Sequence, residues 1–133
     1  MLGSAEVISF VATDNPAAAR EFYAETLGLR LVADEEFALV FDANGTSLRV
    51  QKVRDHTPLP YTALGWKVSN VHQAVSGLQA KGVRFERFPW HPQDESGVWV
   101  TPDGAKVAWF KDPDGNLLSL TELSETAGPR ATA

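Results

Sequence analysis

The sequence has no cysteine and only three histidines in 133 residues. Without cysteine there is no disulfide framework, no thiol nucleophile and no zinc site built on thiolates. Lysine and arginine together number 12 against 17 aspartates and glutamates, and they are scattered along the chain. The basic stripe with which a nucleic-acid binder neutralises phosphate is therefore missing. These absences exclude thiol chemistry and argue against nucleic acid as a partner.

Long apolar runs are also missing. No run reaches the about 20 residues that a membrane-spanning helix needs, and no basic-then-apolar leader is seen. We therefore expect a cytoplasmic protein that has no membrane partner. The hydrophobic fraction of 44% is enough for a core of its own, which predicts one domain over residues 1–123. Residues 124–133 are small and polar, and we expect a flexible tail there.

The first part of the chain, residues 5–53, has the pattern of a βαβββ module. An apolar, β-branched run at residues 6–12 predicts a buried strand. Asp14 or Asn15 followed by Pro16 begins a helix, and Gly28 ends it. Three further strands are predicted from short apolar runs separated by turns, at residues 29–33, 37–41 and 47–53.

The same order of elements returns at residues 62–123, after a proline-bearing linker at residues 54–61. A strand and a helix capped by Ser69 or Asn70 and ended by Gly82 come first. The last two strands form a hairpin around the type I turn that begins at Asp112. The remaining predicted elements are a strand at residues 83–88 and an insertion near residues 89–104.

The two modules, the helix end FYAETLGL at residues 22–29 and the hairpin FKDPDGNLLSL at residues 110–120 resemble the vicinal oxygen chelate superfamily. This superfamily groups glyoxalases, bleomycin-resistance proteins and extradiol dioxygenases. The resemblance covers residues 6–122 and implies an α+β fold, in which the mixed, curled sheets of two βαβββ modules form a cup with helices outside. Because one scaffold supports many functions, function has to be argued from the site.

The resemblance also implies where a divalent metal ion would bind. Metalloenzymes of this superfamily hold the ion in the cup with His, Glu or Gln ligands, and the matching positions here are Val7, Arg49, Ala63 and Ser119. None of these four side chains is an imidazole or a carboxylate, which are the donors that such an ion requires. We therefore predict a metal-free member that has no cofactor.

Strand alternation predicts which side chains share the cup with these positions. The cup side carries Arg49, Lys67 and Ser119, and counting back across the turn sets Phe110 opposite Leu117 on that side as well. Trp66 and Trp109 are predicted to lie in the core. The predicted cup side also includes Ser9, Val11, Ser47, Gln51, Gly65 and Thr121, and the predicted helix side includes Ile8, Phe10, Leu48, Val50, Leu64, Val68, Leu118 and Leu120.

Two groups of predicted cup residues admit more than one interpretation. Trp90 and Trp99 in the insertion either form a lid or wall that stacks on a planar ligand, or anchor the loop or a dimer contact. Arg49 and Lys67 either attract an anionic group or pair with a local acid. The acids considered for that pairing are Glu6, Asp42 and Glu122.

The three histidines, His56, His72 and His91, have no mutual spacing that would place two of them on one face. We expect them to be solvated residues of loops or helix ends. The alternative for His91 is a new site or an acid/base pair with Asp94 and Glu95.

Taken together, the residues predict a protein that binds or sequesters a small apolar, aromatic or anionic molecule, as bleomycin-resistance members do. We expect a homodimer. The alternative is an enzyme, either a glyoxalase-like lyase or isomerase or a dioxygenase relative, whose metal ligands are atypical or absent. A structural or regulatory dimer with an empty cup is a third possibility. No catalytic residue is predicted, and the predicted ligand-binding residues are Arg49, Lys67, Ser119, Phe110, Trp90 and Trp99.

Overall fold

The computed structural model describes residues 1–124, which form two four-stranded sheets, each accompanied by one α-helix. The predicted α+β class is confirmed. The chain divides into a first unit, Met1–Leu64 with Asp112–Asn116, and a second unit that begins at Gly65 and omits that turn. No helix in the described part is long and apolar enough to cross a membrane. Of the predicted tail, only Ser124 belongs to the described residues.

The first sheet has the strand order β1-β4-β3-β2, with β1 parallel to β4 and the other neighbours antiparallel. The helix that follows β1 is extended by a π-helical segment, Phe22–Thr26. The order of elements is the βαβββ order expected from the sequence. The elements are β1 (Ile8–Thr13), α1 (Pro16–Glu21), β2 (Arg30–Asp34), β3 (Ala38–Ala43) and β4 (Thr46–Lys52).

Strand β1 presents its sides in the opposite sense to the prediction. Val11 is buried and lies beside Val50, whereas Phe10 lies beside Arg49 and is 51% exposed, as is Ile8. The alternation of β1 misleads because its more apolar side, with Ile8 and Phe10, is the exposed one, whereas the buried side carries Ser9 and Thr13 besides Val11. The helix N-cap is Asn15, whose side chain accepts the Ala18 N–H. The matched metal position on this strand lies seven residues before the helix cap. A cap at Asn15 and not at Asp14 therefore moves that position from Val7 to Ile8.

The second sheet has the equivalent order, β5-β8-β7-β6. Its helix is capped by Asn70, whose side chain accepts the Gln73 N–H at 3.0 Å. The Val71 N–H at the helix start is bonded to Glu122, which places this helix on the side of β8 that carries Leu118 and Leu120. The elements are β5 (Thr62–Lys67), α2 (Val71–Gln79), β6 (Trp99–Val100), β7 (Lys106–Lys111) and β8 (Leu117–Glu122).

The strand predicted at residues 83–88 is wrong. That segment makes only an isolated bridge between Phe85 and Phe110, and the fourth strand of the sheet lies inside the predicted insertion. The reason is Gln93, whose side chain accepts the Phe88 N–H at 2.8 Å and donates to the Glu86 carbonyl at 2.9 Å. These backbone groups are thereby withdrawn from strand pairing.

The pairing predicted across the second hairpin is wrong by one residue. Asp112–Asn116 forms a five-residue loop, closed by a 3.0 Å bond from the Asp112 N–H to the Asn116 carbonyl. Lys111 therefore belongs to the strand and not to the loop. Phe110 pairs with Leu118 and Trp109 pairs with Ser119. Phe110 is thus fully buried on the helix side, whereas Trp109 is buried as predicted, at 9% exposure, but on the other side of the sheet.

Trp66 contacts the core without being buried in it: its half-buried ring stacks near that of Phe110, with centroids 6.5 Å apart and an interplanar angle of 21°.

A buried polar cluster in the first unit surrounds Asp112. Its Oδ1 accepts the Asp114 and Asn116 N–H groups, and its Oδ2 accepts the Tyr23 hydroxyl at 2.7 Å and the Asn116 amide at 2.8 Å. Burial, followed by the charge of Asp112 and the hydrogen bond to it, raises the pKa of Tyr23 far above its usual value. The tyrosine therefore remains a hydrogen-bond donor.

The same cluster corrects the prediction that His56 is solvated. Its Nε2 lies 2.6 Å from Asn116 Oδ1 in a partly buried position. The Asn116 amide nitrogen already donates to the Ala12 carbonyl and to Asp112, so the amide oxygen is the acceptor and His56 Nε2 carries the hydrogen. The predicted linker is thus bonded to the hairpin turn within the first unit.

Candidate functional site

One side of the second sheet, which we call the indole face, carries Trp99, Trp109, Ser119 and Gly65, one residue from each strand. Trp109 pairs with Ser119, and Trp99 pairs with Val107, which lies on the same side as Trp109. A β-carbon built on Gly65 would overlap the Ser119 hydroxyl, which shows that these two residues share this side. The predicted common side for Gly65 and Ser119 is confirmed.

Two polar groups of the indole face have no partner among the described residues. Ser119 Oγ makes no hydrogen bond there, although its residue is only 8% exposed. Lys67 lies two residues after Gly65, so it projects from the same side of β5, and its exposed ammonium makes no ion pair within residues 1–124. Both groups can therefore bind a ligand without first giving up a contact.

An imidazole packs against the two indoles of this face. The His91 ring stacks on Trp99, with centroids 4.2 Å apart, and is parallel to the Trp109 ring within 3° at 5.2 Å. Phe88 meets Trp109 edge-on at 5.3 Å. Trp90 stacks on Phe88 at 5.2 Å and remains 69% exposed. The sequence did not predict the position of His91, because no local pattern encodes a contact between a loop and a sheet.

The loop that bears these rings is braced by side chains. Gln93 bonds the backbone at Phe88, at Glu86 and at Gly97. Asp94 accepts the Ser96 and Val98 N–H groups through Oδ1 and the His72 ring through Oδ2 at 2.8 Å. These hydrogen bonds hold the loop of residues 86–98, which carries Trp90 and His91 and which we call the aromatic loop. Its rings are therefore a preorganised surface.

The structure pairs Asp94 with His72 and not with His91, so the alternative of an acid/base pair between His91 and Asp94 is not supported. Partial desolvation by itself raises the pKa of Asp94, but the hydrogen bonds from His72, Val98 and Ser96 lower it on balance.

Arg49 lies on the first sheet and is not part of the indole face. Its Nη2 pairs with Glu35 Oε1 at 2.9 Å, and both side chains are partly exposed. A local ion pair was one of the two predicted interpretations, although its partner is none of the three acids considered. Beside Arg49 on that side of the sheet lie the exposed apolar side chains of Phe10 and Ile8.

The residues present do not fit a divalent metal ion. The four matched positions, after the correction of β1, are Ile8, Arg49, Ala63 and Ser119, and they offer neither imidazole nor carboxylate. Among the described residues, no group of three or more His, Asp or Glu side chains converges on one point.

No curated protein matches the sequence. Several solved structures share the fold. A lactoylglutathione lyase from Agrobacterium tumefaciens is 16% identical, with a TM-score of 0.69 over 90% of this chain and 93% of that one. A glyoxalase/bleomycin resistance protein/dioxygenase superfamily member from Sphaerobacter thermophilus is 22% identical, with a TM-score of 0.68 over 87% of this chain and 96% of that one. A glyoxalase family protein from Enterococcus faecalis is also 22% identical, with a TM-score of 0.65 over 88% and 94%.

The sequence itself matches a family model over most of its length. The match spans residues 6–120, and the model describes the Glyoxalase/Bleomycin resistance protein/Dioxygenase superfamily. The chain belongs to this superfamily.

Proposed function

We propose that the protein binds a small molecule with a planar ring on the indole face and does not transform it. The observation that carries this proposal is the convergence, on one side of one sheet, of two indoles with a hydroxyl and an ammonium that have no partner within residues 1–124. Ser119, Lys67, Trp99 and Trp109 supply these groups. Trp90 adds an exposed ring nearby.

The hydroxyl of Ser119 is the strongest part of this argument. Ser119 is only 8% exposed, but its hydroxyl oxygen still reaches solvent, so water can satisfy it in the free protein. Among the described residues it has no protein partner, which leaves it available to a ligand. A ligand that hydrogen-bonds to it would satisfy it.

The neighbours of Ser119 favour binding over catalysis. The register places Trp109 on one side of it and Gly65 on the other. Neither residue can accept a proton, and within residues 1–124 the nearby His91 ring makes no hydrogen bond to the hydroxyl, so no general base is bonded to Ser119. The matched metal positions add no Lewis acid.

The proposal is tested by incubating the protein with a panel of planar aromatic compounds. Calorimetry measures the affinity, and chromatography with mass detection measures whether the compound is recovered intact. We expect at least one compound to bind with a Kd below about 1 mM and to be recovered unchanged. Turnover would overturn the proposal in favour of an enzyme, and no binding by any planar compound would overturn it altogether.

Matched variants locate the site. Trp90→Leu removes a ring from the aromatic loop, and Trp99→Leu removes the ring on β6 that the loop contacts. Phe37→Leu removes an exposed ring from the first unit. We expect the first two to weaken binding and Phe37→Leu to leave it unchanged. The proposal also keeps the homodimer and the cytoplasmic location as predictions, and light scattering of the purified protein tests the former.

A further inference from the structure

Resting on the proposed function, we infer that the ligand of the indole face is an aromatic carboxylate. The Ser119 hydroxyl and the Lys67 ammonium hold its carboxylate, and the indoles contact its ring. Gly65 acts as a positioning residue that keeps the hydroxyl turned toward β5.

The two polar groups are close enough to hold one carboxylate. Lys67 follows Gly65 by two residues on the same side of β5, a separation of about 6.6 Å at about 3.3 Å per residue. The Ser119 hydroxyl lies directly over Gly65. The flexible lysine stem spans the remaining distance, so one carboxylate oxygen can accept the Ser119 O–H and the other the ammonium.

Gly65 has no backbone reason to be glycine. Its φ lies outside the left-handed region, unlike those of Gly28, Gly82 and Gly115, whose turns require a positive φ. In the interior of a strand, glycine often marks a close approach by another group. Here that group is the Ser119 hydroxyl, which fills the space that a β-carbon would need. Any larger residue at position 65 would force the hydroxyl to rotate away.

The aromatic half of the ligand follows from the neighbouring strands. Trp109 pairs with Ser119, and opposite residues on neighbouring antiparallel strands have β-carbons about 4.5–5.5 Å apart. Trp99 extends the same surface one strand further. A ring attached directly to a carboxylate held at Ser119 and Lys67 therefore lies next to Trp109, beside the His91 imidazole that is stacked on both indoles.

The inference is tested with three probes that differ in one property each. These are 2-naphthoate, the neutral analogue 2-naphthamide and the non-aromatic acid cyclohexanecarboxylate, titrated calorimetrically against the full chain. We expect 2-naphthoate to bind at least about tenfold more tightly than either analogue, because only it offers both the charge and the ring.

Variants assign the preference to its residues. Lys67→Met should abolish the preference for naphthoate over naphthamide. Lys106→Met is the matched control and should leave the preference unchanged. It removes the same charge from the opposite side of the sheet, where Lys106 Nζ lies 3.8 Å from Glu122 Oε2. Ser119→Ala should weaken naphthoate binding about tenfold, as expected for the loss of a hydrogen bond to a charged group. Naphthamide binding should change less.

The positioning role of Gly65 has its own readout. Gly65→Ala should weaken naphthoate binding as Ser119→Ala does, and the double variant should bind no worse than either single variant, because both act through one hydroxyl. Additive losses would overturn the positioning role. If naphthamide binds the wild-type protein as tightly as naphthoate does, the carboxylate inference is wrong and the proposed function stands. If no planar compound binds, the proposed function itself fails.

Discussion

The two sheets share one strand order but differ at corresponding positions. Counted back from the helix N-caps, Phe10 on β1 corresponds to Gly65 on β5. Phe10 lies beside Arg49, whose charge is neutralised by Glu35. Gly65 lies beside Ser119, whose hydroxyl has no partner among the described residues. Corresponding positions of the two sheets thus differ in function. In the first sheet they hold a charge that is already paired, and in the second they hold a hydroxyl that has no protein partner among the described residues.

The hairpins of the two sheets also differ, in the number of hydrogen bonds that their corresponding aspartates accept. Asp42 lies in β3, paired with Ser47 just before the Asn44–Gly45 turn, and accepts one backbone N–H, from Gly45 at 2.9 Å. Asp112 begins the turn of the second hairpin and accepts four hydrogen bonds while buried. The two aspartates have the same place in the sequence repeat and very different structural importance.

The largest expected effect separates these two aspartates. Asp112→Ala should lower the free energy of unfolding by about 3–5 kcal/mol, because it leaves buried donors of Tyr23 and Asn116 without an acceptor. Asp42→Ala should cost only about 0.5–1 kcal/mol. Urea denaturation of both variants measures the difference, and equal losses would show that the Asp112 cluster adds no stability beyond an ordinary turn.

The next effect sharpens the contrast between the sheets. Gly65→Ala should destabilise the protein by about 0.5–1.5 kcal/mol, because the added carbon forces the Ser119 hydroxyl out of its present rotamer. In a Ser119→Ala background the same change should cost much less. Gly77→Ala in α2 is the control, since no atom lies within 4 Å of an added β-carbon there. It should stabilise the helix by about 0.5–1 kcal/mol.

A smaller effect compares the two cations. Arg49→Met should cost about 0.5 kcal/mol at low salt, and less at high salt, because it breaks a partly exposed ion pair with Glu35. Lys67→Met breaks no ion pair within the described residues and should leave thermal stability unchanged. Denaturation at two salt concentrations checks both, and a salt-independent loss in Arg49→Met would contradict an electrostatic origin.

The smallest effect concerns one acid in each unit. A hydrogen bond from Lys52 leads the interactions that lower the pKa of Asp34, and the bond from His72 is the chief one that lowers the pKa of Asp94. A depressed carboxyl pKa contributes stability that is present above about pH 4 and is lost as the pH falls through the folded value. Asp34→Asn and Asp94→Asn should each flatten the loss of stability between about pH 4 and pH 2. Denaturation across that range measures it, and curves parallel to wild type would contradict the assignment.

The sequence predicted the order of elements because the helix caps, the glycine stops and the turn residues are local signals. It placed Gly65 and Ser119 on one side correctly, because β5 and β8 have one polar and one apolar side. It failed at β1, where the more apolar side, with Ile8 and Phe10, is the exposed one. It failed at the hairpin because the loop length depends on the Asp112 to Asn116 hydrogen bond, which moved Phe110 away from the site and Trp109 into it.

The contacts of Asp112 also bear on whether the two sequence repeats can fold separately. The first unit is discontinuous in sequence, since it takes five residues from the far end of the chain. A peptide ending at Leu64 would leave the hydroxyl of Tyr23 and the ring of His56 without the partners they have in the whole protein. The first unit of the fold therefore does not coincide with the first sequence repeat, because it includes the turn of the second hairpin.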